Sequence, residues 1–291
     1  MENYVIRATA AEGTVRAFAT VTTEMVRNAQ KTHGLSHVAS AALGRTLTAA
    51  AMMSKLLKNS NDTITLQVKG EGPLGGMVVV ADTIGNVKGY VYNPDVDLPL
   101  NEKGKLDVGS AVGKSGYINV IKDFGLKEPY IGYVPLVTGE IGEDVAYYFA
   151  YSEQVPSVVS LGVFIDTDGS ILKAGGYIIQ LMPGADDSLI SLIENTVSSL
   201  PSITQLLSKG ETPESILELI LGSKGLKITD KTSCDYNCNC SRDRMERNLI
   251  SLGKTELLSL IEEQHGAEVQ CHFCNSKYQF SEDELKELIE S

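Results

Sequence analysis

Five cysteines carry the most specific chemistry in this chain, and all lie in its last fifth: Cys234, the pair Cys238-x-Cys240, and the pair Cys271-x-x-Cys274. The 233 residues before them contain none. Thiolates are soft ligands, and four of them satisfy a tetrahedral Zn²⁺ ion. Cys271-x-x-Cys274 has the spacing of a zinc knuckle, where a tight turn aims two sulfurs at one ion. Cys238, Cys240, Cys271 and Cys274 are therefore the expected zinc ligands. Buried free cysteines can act as small hydrophobes, but that does not explain their clustering. A disulfide scaffold would need an oxidising compartment. Cys234 is the odd thiol, either a spare or an alternative to Cys238 in a C-x₃-C-x-C cluster. His265 or His272 could replace one sulfur. A four-thiolate site leaves no open position for a substrate water, so hydrolysis is not implied.

Local elements must hold the two pairs together. Ser241 is placed to cap a helix over Arg242–Leu252 that runs out of the C-x-C, and a second helix is expected over about Thr255–Gln264. Val269, Tyr278 and Phe280 suggest a small hairpin around the knuckle. Ser281-x-x-Glu284 is a capping box opening a final amphipathic helix. Few apolar residues lie beyond position 231, so a unit of about sixty residues is marginal without a staple. Zinc would supply it, because structural zinc binding is folding free energy. Thiolates oxidise and zinc does not. An oxidant would convert the thiols to disulfides, expel the ion and melt the unit.

The preceding residues predict an α+β fold with mostly antiparallel pairing, because many strand runs are joined by connections too short for crossovers. Tyr4–Ala10 and Thr14–Val21 form a first hairpin; Val158–Ile165 and Ile171–Gln180 form another. Further strands are expected at Thr63–Lys69, Met77–Ala81, Val87–Tyr92, Gly116–Lys122 and Tyr130–Leu136. Thr22 or Thr23 caps a helix to Gln30, Ser36 caps an Ala-rich helix to about Lys58, and another helix runs from about Asp144 to Gln154. At Met182-Pro-Gly184 the texture changes. Capped helical segments with a dense apolar load run to Gly222, either packed on the sheet or forming a partner-binding linker. The expected domains are 1–181 (α+β core), 182–230 (helical linker) and 231–291 (zinc-binding switch).

Other patterns carry less. Gly70-x-Gly72-x-x-Gly75 follows a strand, but a strand follows it, whereas a dinucleotide site needs a helix there. Asp166-x-Asp168-Gly169 lacks the later ligands of a calcium loop. His33 and His37 have no carboxylate or cysteine nearby in sequence and suit a surface or a cap. Tyr147, Tyr148 and Tyr151 suit packing. The net charge of −12 argues against a nucleic-acid or anionic-membrane surface. No secretory signal or spanning run appears, which makes the cytoplasm the expected compartment.

Several stretches carry a resemblance to a known family: Leu43-x-Arg-Thr-Leu-Thr-Ala-Ala50, Gln67-x-x-Gly-x-Gly-Pro73, Gly89-Tyr-Val, Tyr148-x-x-x-Ser-Glu-Gln154, Ala174-Gly-Gly-Tyr-x-x-Gln-x-x-Pro-Gly184, and the four-cysteine pattern. Over essentially its full length the chain resembles the redox-regulated holdase chaperones of the heat-shock protein 33 family, the 33 kDa chaperonins. The resemblance implies a non-enzymatic, ATP-independent chaperone that is zinc-bound and inactive or weakly active when reduced. Oxidation would form Cys238–Cys240 and Cys271–Cys274 disulfides, release zinc and unfold the C-terminal region. The protein would then dimerise and bind unfolding client proteins during oxidative and heat stress. Cys234 is a departure beside the C-x-C. The rival readings are a zinc-ribbon nucleic-acid-binding protein and a thiol-disulfide exchange protein. Residues 231–291 disfavour the first, with 7 Lys/Arg against 12 Asp/Glu. The second is disfavoured because the C-x-x-C falls in a predicted hairpin rather than opening a helix.

Overall fold

An Ala-rich helix with no polar face organises most of the chain. This helix, α2 (His37–Ser54), is buried at nearly every position. The Ser36 hydroxyl caps it, accepting the Ala39 N–H at 3.2 Å. Small residues along α2 let neighbouring elements approach closely. At Gly44 a β-carbon would fall 2.7 Å from Val26 and 2.8 Å from Val163. The computed structural model describes residues 2–290 and contains two compact units, Met1–Asn237 and Cys238–Ser291.

Two sheets build the first unit. One contains β1 (Tyr4–Ala10), β2 (Val15–Val21), β8 (Ser157–Ile165), β9 (Ile171–Leu181) and β10 (Lys227–Ser233). Its order is β10-β1-β2-β9-β8, antiparallel throughout. The other contains β3 (Thr63–Gly70), β4 (Met77–Asp82), β5 (Asn86–Val91), β6 (Gly116–Asp123), β7 (Tyr130–Pro135) and the two-residue β11 (Asp235–Tyr236). Its order is β11-β5-β4-β3-β6-β7, and only the β11–β5 pair is parallel. The helix α2 shares one core with both sheets, including Phe18 and Ile178 from the first and Ile64, Leu66 and Val79 from the second. α1 (Thr23–His33), α3 (Val108–Val112) and α4 (Gly142–Tyr151) complete that layer.

The α+β class with antiparallel sheets is as expected, and the differences are local. α2 stops at Ser54, and the Asp62 carboxylate accepts the Asn59 N–H at 2.9 Å to hold the turn that follows. α4 starts at Gly142, where the Asp144 carboxylate accepts the Ile141 N–H at 2.9 Å. The short α3 has no counterpart among the expected elements. Its carbonyls occupy the glycine-rich turn: Gly72 and Leu74 donate their N–H groups to Val112 and Ala111, each at 3.0 Å. A β-carbon on Gly70 would lie 2.0 Å from the Val112 oxygen. These glycines admit a neighbouring backbone, and those N–H groups are already engaged. His33 bonds the Tyr236 hydroxyl at 2.7 Å. Tyr148 is buried and hydrogen-bonds Glu153, while Tyr147 and Tyr151 stack on each other.

Residues 182–230, expected as a linker region, lie within the first unit. Here α5 (Asp187–Ser199), α6 (Ile203–Ser208) and α7 (Pro213–Leu221) lead into β10. In the second unit α8 (Arg242–Leu252) and α9 (Lys254–Gln264) precede a hairpin of β12 (Gly266–Gln270) and β13 (Lys277–Ser281), and α10 (Glu282–Glu290) ends it. Its buried apolar core is Met245, Leu249, Leu257, Phe280 and Leu285. Among the described residues no helix is long and apolar enough to cross a membrane.

Candidate metal centre and covered apolar face

The hairpin register aims the second cysteine pair. Val269 pairs with Tyr278 and Gln270 with Lys277, so residues 271–276 form the closing loop. There Cys271 donates its N–H to the Ser276 carbonyl at 2.9 Å, and Asn275 donates to the Cys271 carbonyl at 2.8 Å. Asn275 takes the left-handed conformation, with φ at 59°, that turns the chain back. The first pair lies on the extended segment before α8, whose cap Ser241 accepts the Arg244 N–H at 3.3 Å. Arg242 fixes that segment to the hairpin. Its guanidinium lies 4.3 Å from the Phe280 ring centroid, donates to the Gln279 carbonyl at 2.9 Å and pairs with Glu284 at 2.5 Å.

The result is a group of four sulfurs. Cys238, Cys240, Cys271 and Cys274 place them all within 4.8 Å of one another. Cys238 and Cys271 are 3.7 Å apart, and Cys240 and Cys274 are 3.2 Å apart. Sulfurs on a tetrahedron around zinc lie about 3.8 Å apart when Zn–S is ~2.3 Å. A disulfide needs about 2.05 Å, and none of the five cysteines is disulfide-bonded. The donor set thus fits a tetrahedral thiolate-bound metal. His265 and His272 are not members of the group; His265 bonds Glu282 at 2.7 Å.

The sulfurs are not electrostatically equal. Burial raises Cys274, but hydrogen bonding with the Ser276 side chain and backbone outweighs it and brings the thiol down to about 7 from 9.0. Burial raises Cys271. The Tyr278 hydroxyl lies 3.2 Å from the Cys240 sulfur, and this contact, followed by burial, pushes the phenol up to about 12. A lowered thiol is partly thiolate near neutral pH, the form that both binds metal and reacts with peroxide.

A second feature lies in the first unit. Helices α5, α6 and α7 cover one face of the first sheet. Ile193 of α5, Leu206 of α6, and Leu217 and Leu221 of α7 share a core with Ile6, Ala17 and Ile179 of the strands. Each helix has a side-chain cap, at Asp186, Ser202 and Thr212. Helices of 13, 6 and 9 residues are too short to be stable alone, so the sheet stabilises them. Of the two alternatives open for this apolar stretch, the structure has it packed on the sheet.

The sequence profile of the Hsp33 protein family matches residues 3–281. The chain belongs to the Hsp33 family. It is 60% identical over 289 residues to the 33 kDa chaperonin of Acetivibrio thermocellus, covering 99% of this chain and 97% of that protein. It is 57% identical over 289 residues to the one from Ruminiclostridium cellulolyticum, covering 99% and 98%. The crystal structure of the 33 kDa chaperonin (heat shock protein 33 homolog) from Thermotoga maritima superposes with a TM-score of 0.91 at 38% identity, covering 100% of this chain and 98% of that one. Membership of the Hsp33 family gives the chain a chaperone role, and the relatives' name, chaperonin, denotes a non-enzymatic class.

Within this Hsp33 fold the fifth cysteine stands apart. Cys234 belongs to the first unit and is 2% exposed. Its N–H donates to the Asn3 carbonyl at 3.1 Å. Burial pushes its thiol up to about 12, against opposing effects of Thr20 and Lys55. It is not one of the four grouped sulfurs. Sequence reasoning misses the roles of Arg242, Ser276 and Tyr278 beside the sulfurs. The alternation Tyr278-x-Phe280 is visible as a strand, but which side chain reaches a sulfur depends on the register.

Proposed function

We propose that this chain is an oxidation-activated, ATP-independent holdase whose four grouped cysteines form the switch. The observation that carries the reading is the packing of four thiols within 4.8 Å in a unit whose buried apolar core, among the described residues, is five side chains. Zinc, when bound, holds the sulfurs as thiolates and staples that small unit. Cys238, Cys240, Cys271 and Cys274 are its ligands. Cys238–Cys240 and Cys271–Cys274 are the disulfides of the oxidised form. Proximity alone does not select this pairing; it rests on the family resemblance. Each pair loses two electrons to one peroxide, which takes up two protons and leaves as two waters. Disulfide sulfurs no longer carry the thiolate charge that binds the metal.

The unit then loses its staple and unfolds. The α5–α7 region, which depends on the sheet for its stability, is the cover that opens next. The apolar face beneath it, with Ile6, Ala17 and Ile179, offers a surface for the exposed apolar segments of unfolding proteins. In this scheme residues 1–181 provide the platform, 182–230 the cover, and 231–291 carry the switch. The active form is a homodimer, and the protein works in the cytoplasm.

The test is peroxide treatment at mildly elevated temperature. Zinc release, free thiols and light scattering of an aggregating client are followed together. Zinc and four thiols should be lost as scattering is suppressed, and peptide mapping should find the two adjacent disulfides. Loss of zinc without any gain in anti-aggregation activity overturns the reading.

A further inference from the structure

The α5–α7 cover is tied to the strand that follows it by one charged contact. Glu214 stands in the first turn of α7. Tyr4 of β1 donates its hydroxyl to one Glu214 carboxylate oxygen at 2.7 Å. Lys231 of β10 donates to the other at 2.9 Å. The Lys231 ammonium also lies 3.9 Å from the Tyr4 ring centroid. Three residues from a sheet strand, a cover helix and the strand β10 thus meet on one carboxylate, with both its oxygens used.

This contact ties β10 to the cover, whereas the strand's other ties run to β1, among them the Thr229 hydroxyl, which donates to the Arg7 carbonyl at 3.1 Å. None of the side chains of β10 is buried, so it contributes no apolar core. It is held to β1 by backbone pairing, whose register shifts between Arg7 and Ala8. Its register sets Ser233 opposite Tyr4 and Lys231 opposite Ile6, which places Lys231 diagonal to Tyr4. Beyond it, Cys234 and Asp235 are pinned by Asn3 at 3.1 Å and 2.9 Å, and the first unit ends at Asn237. The chain that leads to the first metal-site cysteine is therefore the same chain that holds Glu214 in place.

We infer that Tyr4, Glu214 and Lys231 form a latch that makes β10 and α7 detach together, so that loosening of residues 227–236 releases the cover. This deepens the holdase reading and rests on it only for the consequence, the uncovering of a client surface. Tyr4 and Lys231 are positioning residues acting through Glu214. Loss of the Lys231 contact leaves the carboxylate with one partner, and loss of Glu214 leaves a cation over an aromatic ring with no anion beside it.

The experiment uses the full chain, reduced and loaded with zinc, with no oxidant. Two signals are read together: amide hydrogen exchange of residues 214–221, and alkylation of Cys234 by iodoacetamide, located by peptide mass mapping. Cys234 is buried while the strand is seated, so its alkylation reports detachment. Glu214→Gln and Lys231→Met should each raise both rates, roughly three- to tenfold, the range for a charge-assisted contact that is partly exposed. The double variant should add little to Lys231→Met, because that change already removes the ion pair. Tyr4→Phe, which keeps the ring and deletes one hydrogen bond, should give a smaller change of the same sign, and it serves if Glu214→Gln does not fold. Faster exchange in α7 with unchanged Cys234 alkylation overturns the latch, as do independent multiplying effects in the double variant or no change in any variant. Because no step uses peroxide or a client, a failed holdase assay leaves this result standing, and a failed latch leaves the holdase assay standing.

Discussion

Truncating Leu285 to alanine should show how much of the second unit's stability comes from the proposed zinc. Leu285 is fully buried among Met245, Leu249, Leu257 and Phe280. A buried Leu→Ala change costs about 2–5 kcal/mol, through lost transfer energy and the cavity left behind. A unit of roughly 50 residues has a total stability of about 3–8 kcal/mol at the usual value per residue. One truncation therefore removes between about a quarter and all of that stability. Bound structural zinc adds ~10 kcal/mol or more to a folded site of this kind. With zinc, Leu285→Ala should weaken the unit yet leave it folded. Without zinc, the same variant should be unfolded from Cys238 onward. Hydrogen exchange of peptides covering 245–285, in the whole reduced chain with and without a chelator, reads this directly. The chelated wild type should already have lost most of its zinc-loaded protection, as the staple argument requires. If the chelated variant keeps the protection of the zinc-loaded wild type, the apolar core suffices and the staple argument fails.

Two further outcomes follow from the first unit. Leu217→Ala, at a fully buried position of α7, should destabilise the cover by about 2–5 kcal/mol and raise binding of an apolar dye in reduced protein with zinc content unchanged; unchanged dye binding would show that α7 does not mask the sheet. The Cys234 thiol, raised to about 12 from 9.0, stays protonated in the fold while an unfolded chain ionises above pH 9.0, so the folded state loses stability as pH rises from 9.0 towards 12. The slope approaches ~1.4 kcal/mol per pH unit at most. Denaturant unfolding at pH 8, 9 and 10 should show it, and Cys234→Ala should flatten it; an equal slope in that variant refutes the assignment.

Much of the second unit is readable in the sequence because its signals are short-range. C-x-C and C-x-x-C spacings, the Ser241 cap and the Ser281–Glu284 box each act within a few residues. The box is present, with Ser281 donating its N–H to the Glu284 carboxylate at 2.9 Å. The hairpins of the first unit are visible for the same reason, through alternation and turns. β10 is not. Lys227–Ser233 has no apolar alternation, because it pairs at a sheet edge through backbone groups and buries no side chain.

The sequence by itself determined the donor chemistry, four soft thiols in two closely spaced pairs, since residue type and local spacing are properties of the chain. It also determined that an apolar helical stretch precedes that site. Only the tertiary structure decided which sulfurs meet. Pairing of β10 with β1 and of β11 with β5 draws Cys234 into the first unit, while the β12–β13 hairpin and Arg242 gather the other four. Only the tertiary structure decided where the apolar helices lie, because a hydrophobic face records that it must be buried and not against what. The meeting of Tyr4, Glu214 and Lys231 spans more than two hundred residues of chain, and no local pattern encodes it.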